Sequence, residues 1–128
     1  MITELIDHLR QNATSFVTIA HALSMEPIDD LTEESPAAYL YLGGESASLS
    51  DGDGYIVQEV TRTIACFIVG RHDRMMDLRS ELRALILNYQ ADSYHTPCEF
   101  VGGETATIKG EYQWWQDTYI TRTHYRQT

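Results

Sequence analysis

Asp51, Gly52, Asp53 and Gly54 have the spacing of a calcium-loop fragment, two carboxylates one residue apart with glycines for a sharp turn. An EF-hand loop needs a further oxygen ligand two residues after the second Asp and a glutamate at its twelfth position. Those positions hold Tyr55 and Arg62. Turn chemistry between two strands accounts for the motif. The histidines, His8, His21, His72, His95 and His124, show no metal spacing. His95 lies close to Cys98, but no second such pair completes a zinc site. Cys66 sits inside a β-branched run, where a buried, inert thiol is the common case. Cys98 with a distant histidine would make a nucleophile pair, and its local sequence offers nothing to support one.

No nucleophile elbow, phosphate-binding loop or His-Glu-x-x-His is present. The paired carboxylates Asp29–Asp30 and Glu33–Glu34 lie in a polar stretch. Acid–base work would require a pocket that displaces their pKa values, and exposed neighbouring carboxylates are normally just solvated charge. The residues therefore predict no catalytic, metal or cofactor site, and a protein that is not an enzyme.

The elements that could position any site follow from composition and periodicity. A chain of 128 residues fits one domain, 1–128. An apolar fraction of 43% and a charged fraction of 22% are ordinary for a globular domain. The net charge is −10, from 19 acids against 9 Lys and Arg. Such a surface repels phosphate backbones, which disfavours specific nucleic-acid binding but allows DNA to pass without being held. Two cysteines make no disulfide framework. The polar, helical start is unlike a signal peptide, and no apolar run is long enough to span a bilayer. A cytoplasm-like compartment and no membrane partner are expected.

Ile2, Leu5, Ile6 and Leu9 recur at helical spacing. Residues 16–25 read as a strand. Glu26 to Pro36 is an acidic loop, and Ala37–Leu42 a strand. Gly43–Gly54 reads as a flexible connection. Tyr55–Val69 is the strongest strand, with Val60, Ile64, Cys66 and Ile68 on one face; its other face starts polar and ends apolar. Asp73 caps a main helix reaching Tyr89, with Met75, Met76, Leu78, Leu82, Leu85, Ile86 and Tyr89 recurring at three- and four-residue steps and Arg74, Arg79, Glu81 and Arg83 between them. Tyr94–Gly103 looks irregular. Two strands follow, with Gly110 as a mid-strand bulge or close approach. The fold class is α+β, a mixed, mostly antiparallel β-sheet flanked by two α-helices, with long mobile loops.

Three groups are candidates for protein interfaces. Eight acids and no Lys or Arg lie between Ser24 and Gly54, among them Glu26, Asp29, Asp30, Glu33, Glu34, Asp51 and Asp53. They read either as a solvated excursion or as an interaction arm. Trp114 and Trp115 are adjacent, so a strand points them to opposite faces, one inward and one toward water or a partner. The alternative is that helices cover both faces. Arg62, Arg79, Arg122 and Arg126 supply basic patches unlike the acidic region, as a head-to-tail contact requires.

The stretch Gly110-Glu111-Tyr112-Gln113-Trp114-Trp115-Gln116-Asp117-Thr118-Tyr119 resembles the C-terminal end of bacteriophage tail terminator proteins. Phe67-Ile68-Val69 followed by the helix Asp73–Tyr89 is similar to that family's central strand–helix unit. The resemblance implies a structural virion protein of the tail or neck, assembled in the host cytoplasm. Its subunits would form a ring, commonly a hexamer, that caps the tail tube and ends its polymerisation. Its partners would be itself, the tail tube protein and a head-completion or connector protein, with DNA sliding through an acidic channel. No cofactor is implied. Another head–tail joining or tail-completion protein, a monomeric interaction module, and a small hydrolase or transferase are the competing readings.

Overall fold

A computed structural model describes residues 1–24, 34–49, 56–87 and 89–127. Among them the order is helix α1 (Ile2–Asn12), strand β1 (Thr18–His21), a short 3-10 turn (Ala22–Ser24), β2 (Ala37–Ala47), β3 (Ile56–Arg71), helix α2 (Met75–Leu87), β4 (Glu99–Lys109) and β5 (Tyr112–Gln127). The strands form one sheet in the order β1-β2-β3-β5-β4. Only β1 and β2 run parallel; the other neighbours are antiparallel. The expected α+β architecture is present.

Both helices pack on the same face of the sheet. Leu5, Ile6 and Leu9 of α1 and Leu78, Leu82 and Ile86 of α2 meet Leu40, Ile64, Cys66, Ile68 and Tyr119 in one core. The helical spacing that predicted both apolar stripes is thus the spacing that fills this layer. Burying one such aliphatic side chain contributes about 1.5–3 kcal/mol. Glu81 of α2 ties the helices together, its Oε1 accepting the Thr14 amide and hydroxyl just beyond α1, each at 3.0 Å.

Several boundaries differ from the sequence expectation. The strand expected over 16–25 is confined to Thr18–His21. There the Leu23 amide donates to Nδ1 of His21 at 3.0 Å and turns the chain. The connection expected at Gly43–Gly54 begins later, because β2 continues to Ala47, paired with Val60–Thr63 of the long β3 across a bulge between Leu42 and Gly44. The irregular stretch expected at Tyr94–Gly103 is strand from Glu99 onward. Two bulges, at Phe100/Gly102 and Thr105/Thr107, fit this segment to β5 despite its glycines. Gly110 is not mid-strand: it lies in the β4–β5 turn with φ +61°, a left-handed conformation that glycine adopts without steric cost. Helix α2 starts at Met75 and ends at Leu87, shorter than expected, with the Asp73 carboxylate facing Arg71 at 3.4 Å.

Leu82 is fully buried in the middle of α2. Leu82→Ala is expected to cost about 2–5 kcal/mol, read as a lower urea midpoint at unchanged m-value.

Candidate functional site

The polar centre of the molecule is Arg79 with Asp117. Arg79 falls in the buried stripe of α2, four residues after Met75 and three before Leu82, and is 7% exposed. Asp117 sits on the helix-facing side of β5, opposite Cys66 of β3, and is 0% exposed. Arg79 Nη2 donates to Asp117 Oδ1 at 2.9 Å and Nε to Oδ2 at 3.0 Å. Oδ1 also accepts the Trp115 indole N–H at 2.8 Å. The Trp115 ring lies 4.1 Å from the guanidinium carbon, a cation–π contact. Gly103 of β4 closes the cluster: a Cβ there would stand 2.1 Å from Asp117 Oδ1 and 2.6 Å from Trp115 Nε1.

This arrangement joins α2, β5 and β4, and it corrects the expectation for Arg79. Arg79 is an internal strut, not a surface cation for a partner. Its place in the 75–78–79–82–86 stripe was the available signal, matched by Asp117 in the aromatic alternation of β5.

Of the other candidate arginines, Arg62 and Arg122 are engaged within the chain as well. Arg62 Nε is 3.1 Å from Glu45 Oε2, and its Nη1 donates to His95 Nε2 at 3.2 Å. His95 Nδ1 lies 2.8 Å from Asp92 Oδ1, so the ring stands between the Arg62 guanidinium and the Asp92 carboxylate. Arg122 Nη1 meets Glu99 Oε1 at 2.6 Å, linking β5 to the edge strand. Glu26, Asp29, Asp30, Glu33, Asp51 and Asp53 lie outside the described residues, as does the side chain of Arg126. Glu34 is described and exposed.

The tryptophans divide as their adjacency requires. Trp115 joins the polar cluster, while Trp114 lies on the sheet face opposite the two helices. There Trp114, Tyr39, Phe67, Val69, Ala106 and Thr107 line an apolar hollow of about 200 Å³. Tyr41 stacks on Phe67 at 5.9 Å between centroids. A second, shallow hollow of about 250 Å³ lies along β4 and β5 at Val101–Glu104, Gln116 and Thr118. Toward the far end of the same face the register brings Glu59 beside His124 and Arg122. The face thus grades from aromatic to charged along the strands.

The thiols are not brought into a nucleophile pair. Cys66 and Cys98 are both free and buried in the helix-side core. Burial pushes the Cys66 thiol far above its ordinary value, with the Asp117 carboxylate adding to the effect. Burial alone pushes Cys98 up to about 11. His95 turns instead to Asp92 and Arg62. Among the described residues no group of three or more His, Cys, Asp or Glu is placed to hold a metal, and no helix is long and apolar enough to cross a membrane.

Among the described residues the α+β fold has helices on one face of the sheet, aromatic side chains on the other and most of its polar groups tied into the frame. The family model for the phage tail terminator protein matches residues 2–128. The chain belongs to the phage tail terminator family, a structural family, and is a tail-completion component of the virion. No curated protein matches the chain at a significant level.

Removing one partner of the buried pair leaves the other charge uncompensated. Asp117→Ala is expected to cost about 3–5 kcal/mol, whereas Arg79→Met combined with Asp117→Leu recovers most of that loss in the same denaturant titration. Iodoacetamide at pH 8 is expected to leave Cys66 and Cys98 unmodified in the folded protein and to label both in guanidinium, as read by intact mass. Rapid labelling of either native thiol would contradict their placement in the core.

Proposed function

We propose that the chain forms a homo-oligomeric ring, a hexamer, on the end of the completed tail tube. The ring stops further addition of tube protein and presents its other side to the head-completion or connector protein. Assembly takes place in the host cytoplasm, and the subunit performs no catalysis. The observation that carries this reading beyond the family is the face of the sheet without a described helix, with Trp114 beside an apolar hollow at one end. Aromatic residues over such hollows are the usual anchors of protein interfaces. A strongly acidic subunit, with net charge −10, also suits a channel through which DNA slides without sticking.

The test is a tube-polymerisation assay with the cognate tail tube protein, with and without this chain, scored by tube length and end structure in negative-stain micrographs. The expected outcome is shorter tubes bearing a ring at one end. Tube lengths unchanged at saturating chain, with bare ends, would sink the reading. Trp114→Asp is expected to abolish capping while leaving the thermal midpoint of the free subunit within a few degrees of the wild type.

A further inference from the structure

We infer that neighbouring copies meet head to tail through the two sheet edges: the β4 edge of one copy seats on the α1–β1 corner of the next, with Gly102 as the point of closest approach and Arg10 facing Glu104. This rests on the ring reading above and names its contact.

A closed ring needs two unlike, mutually complementary patches on one subunit. The sheet order places β1 and β4 at opposite edges. Both edges expose large apolar side chains: Val17 is 60% exposed beside β1, and Val101 and Ile108 of β4 are 58% and 64% exposed. An exposed edge strand as long as β4 is a template for another chain, and soluble proteins normally blunt such edges. At β4 the blunting charges are few, Glu99 being held by Arg122.

The glycines of β4 sharpen the assignment. Gly103 is explained inside the chain, because any side chain there would strike the Arg79–Asp117–Trp115 cluster. Gly102 stands at the bulge opposite Thr118, and a Cβ there would meet nothing within 4 Å, so the subunit leaves space at this point. A strand glycine marks a bulge or the approach of another backbone or a ligand, and the space at Gly102 admits a neighbour's side chain. Gly102 lines the shallow hollow with Val101 and Glu104.

The opposite corner is its complement. Arg10, Phe16 and Val17 border a recess between α1 and β1. Arg10 Nε donates to the Ile19 carbonyl at 2.6 Å, which fixes the guanidinium beside β1, while 54% of the side chain stays in water. Among the described residues its one carboxylate contact, Asp7, is 3.9 Å away. A cation held at one edge and the Glu104 carboxylate at the other supply the charge complementarity, and the projecting Val17 fits the hollow that Gly102 leaves open.

The experiment uses the full chain in four forms: Gly102→Phe, Arg10→Glu, Glu104→Arg, and the last two combined. Self-association is followed by sedimentation over a concentration series, and ring formation on purified tail tubes by negative stain. Gly102→Phe is expected to keep the wild-type thermal midpoint and lose assembly. Each charge reversal is expected to weaken assembly by about a hundredfold, and the double reversal to recover at least about tenfold of it. Gly102→Phe that assembles like the wild type, or a double reversal no better than the single ones, overturns the contact. Wild-type chain that neither self-associates nor binds tube ends overturns the ring reading and the contact together. Wild-type rings matched in strength by all four variants overturn the contact alone.

Discussion

A guanidinium and a carboxylate taken out of water are costly unless each finds the other and the remaining hydrogen-bonding positions are filled. In this subunit Arg79 and Asp117 meet that condition with an indole as the third member. The pair sits where α2, β5 and β4 converge, so its geometry sets how close the helix layer and the edge strand come to the centre of the sheet. Gly103 is the mark it leaves on β4. The two bulges either side keep the rest of the strand in register while the backbone closes over the cluster. A purely apolar centre would pack these elements with less orientational demand. The fork of the guanidinium admits few angles between helix and sheet.

Both described helices lie on one side of the sheet, and this asymmetry organises what lies outward of the core. One sheet face is covered by α1 and α2, and the other grades from aromatic, around Tyr39, Phe67 and Trp114, to charged, around Glu59, Arg122 and His124. Such a grading along the strand direction gives the molecule a polarity, aromatic at one end of this face and charged at the other. Most of the described basic side chains make contacts within the chain, which leaves the acid excess to dominate the surface charge.

The regular parts of this fold were legible because periodicity reports burial. The stripe Leu5, Ile6, Leu9 and the alternation Ile64, Cys66, Ile68 both face the core, and Val60 is buried in the same alternation. What escaped sequence reasoning depended on partners distant in the chain. Gly43–Ala47 and Glu99–Gly103 have weak strand composition of their own and are strands because β3 and β5 extend far enough to pair them. By type Arg79 reads as a surface cation, although its position lies in the buried stripe of α2. The separation of Trp114 from Trp115 followed from alternation; which one met the polar cluster required knowing that Asp117 shares a face with Trp115. Cys98 and His95, close in sequence, part because one closes the core and the other turns to Asp92 and Arg62.

The two longest strands, β3 and β5, pair in unbroken register from Ile56 opposite Gln127 to Arg71 opposite Tyr112. At about 3.3 Å per residue that is a rod of about 50 Å. A load applied along such a pair pulls on its ladder in shear, so the bonds resist together instead of opening one after another. The subunit therefore has a stiff axis and a soft one. It is stiff along β3 and β5, and compliant across the sheet, where only the short parallel strand β1 and the twice-bulged β4 close the edges.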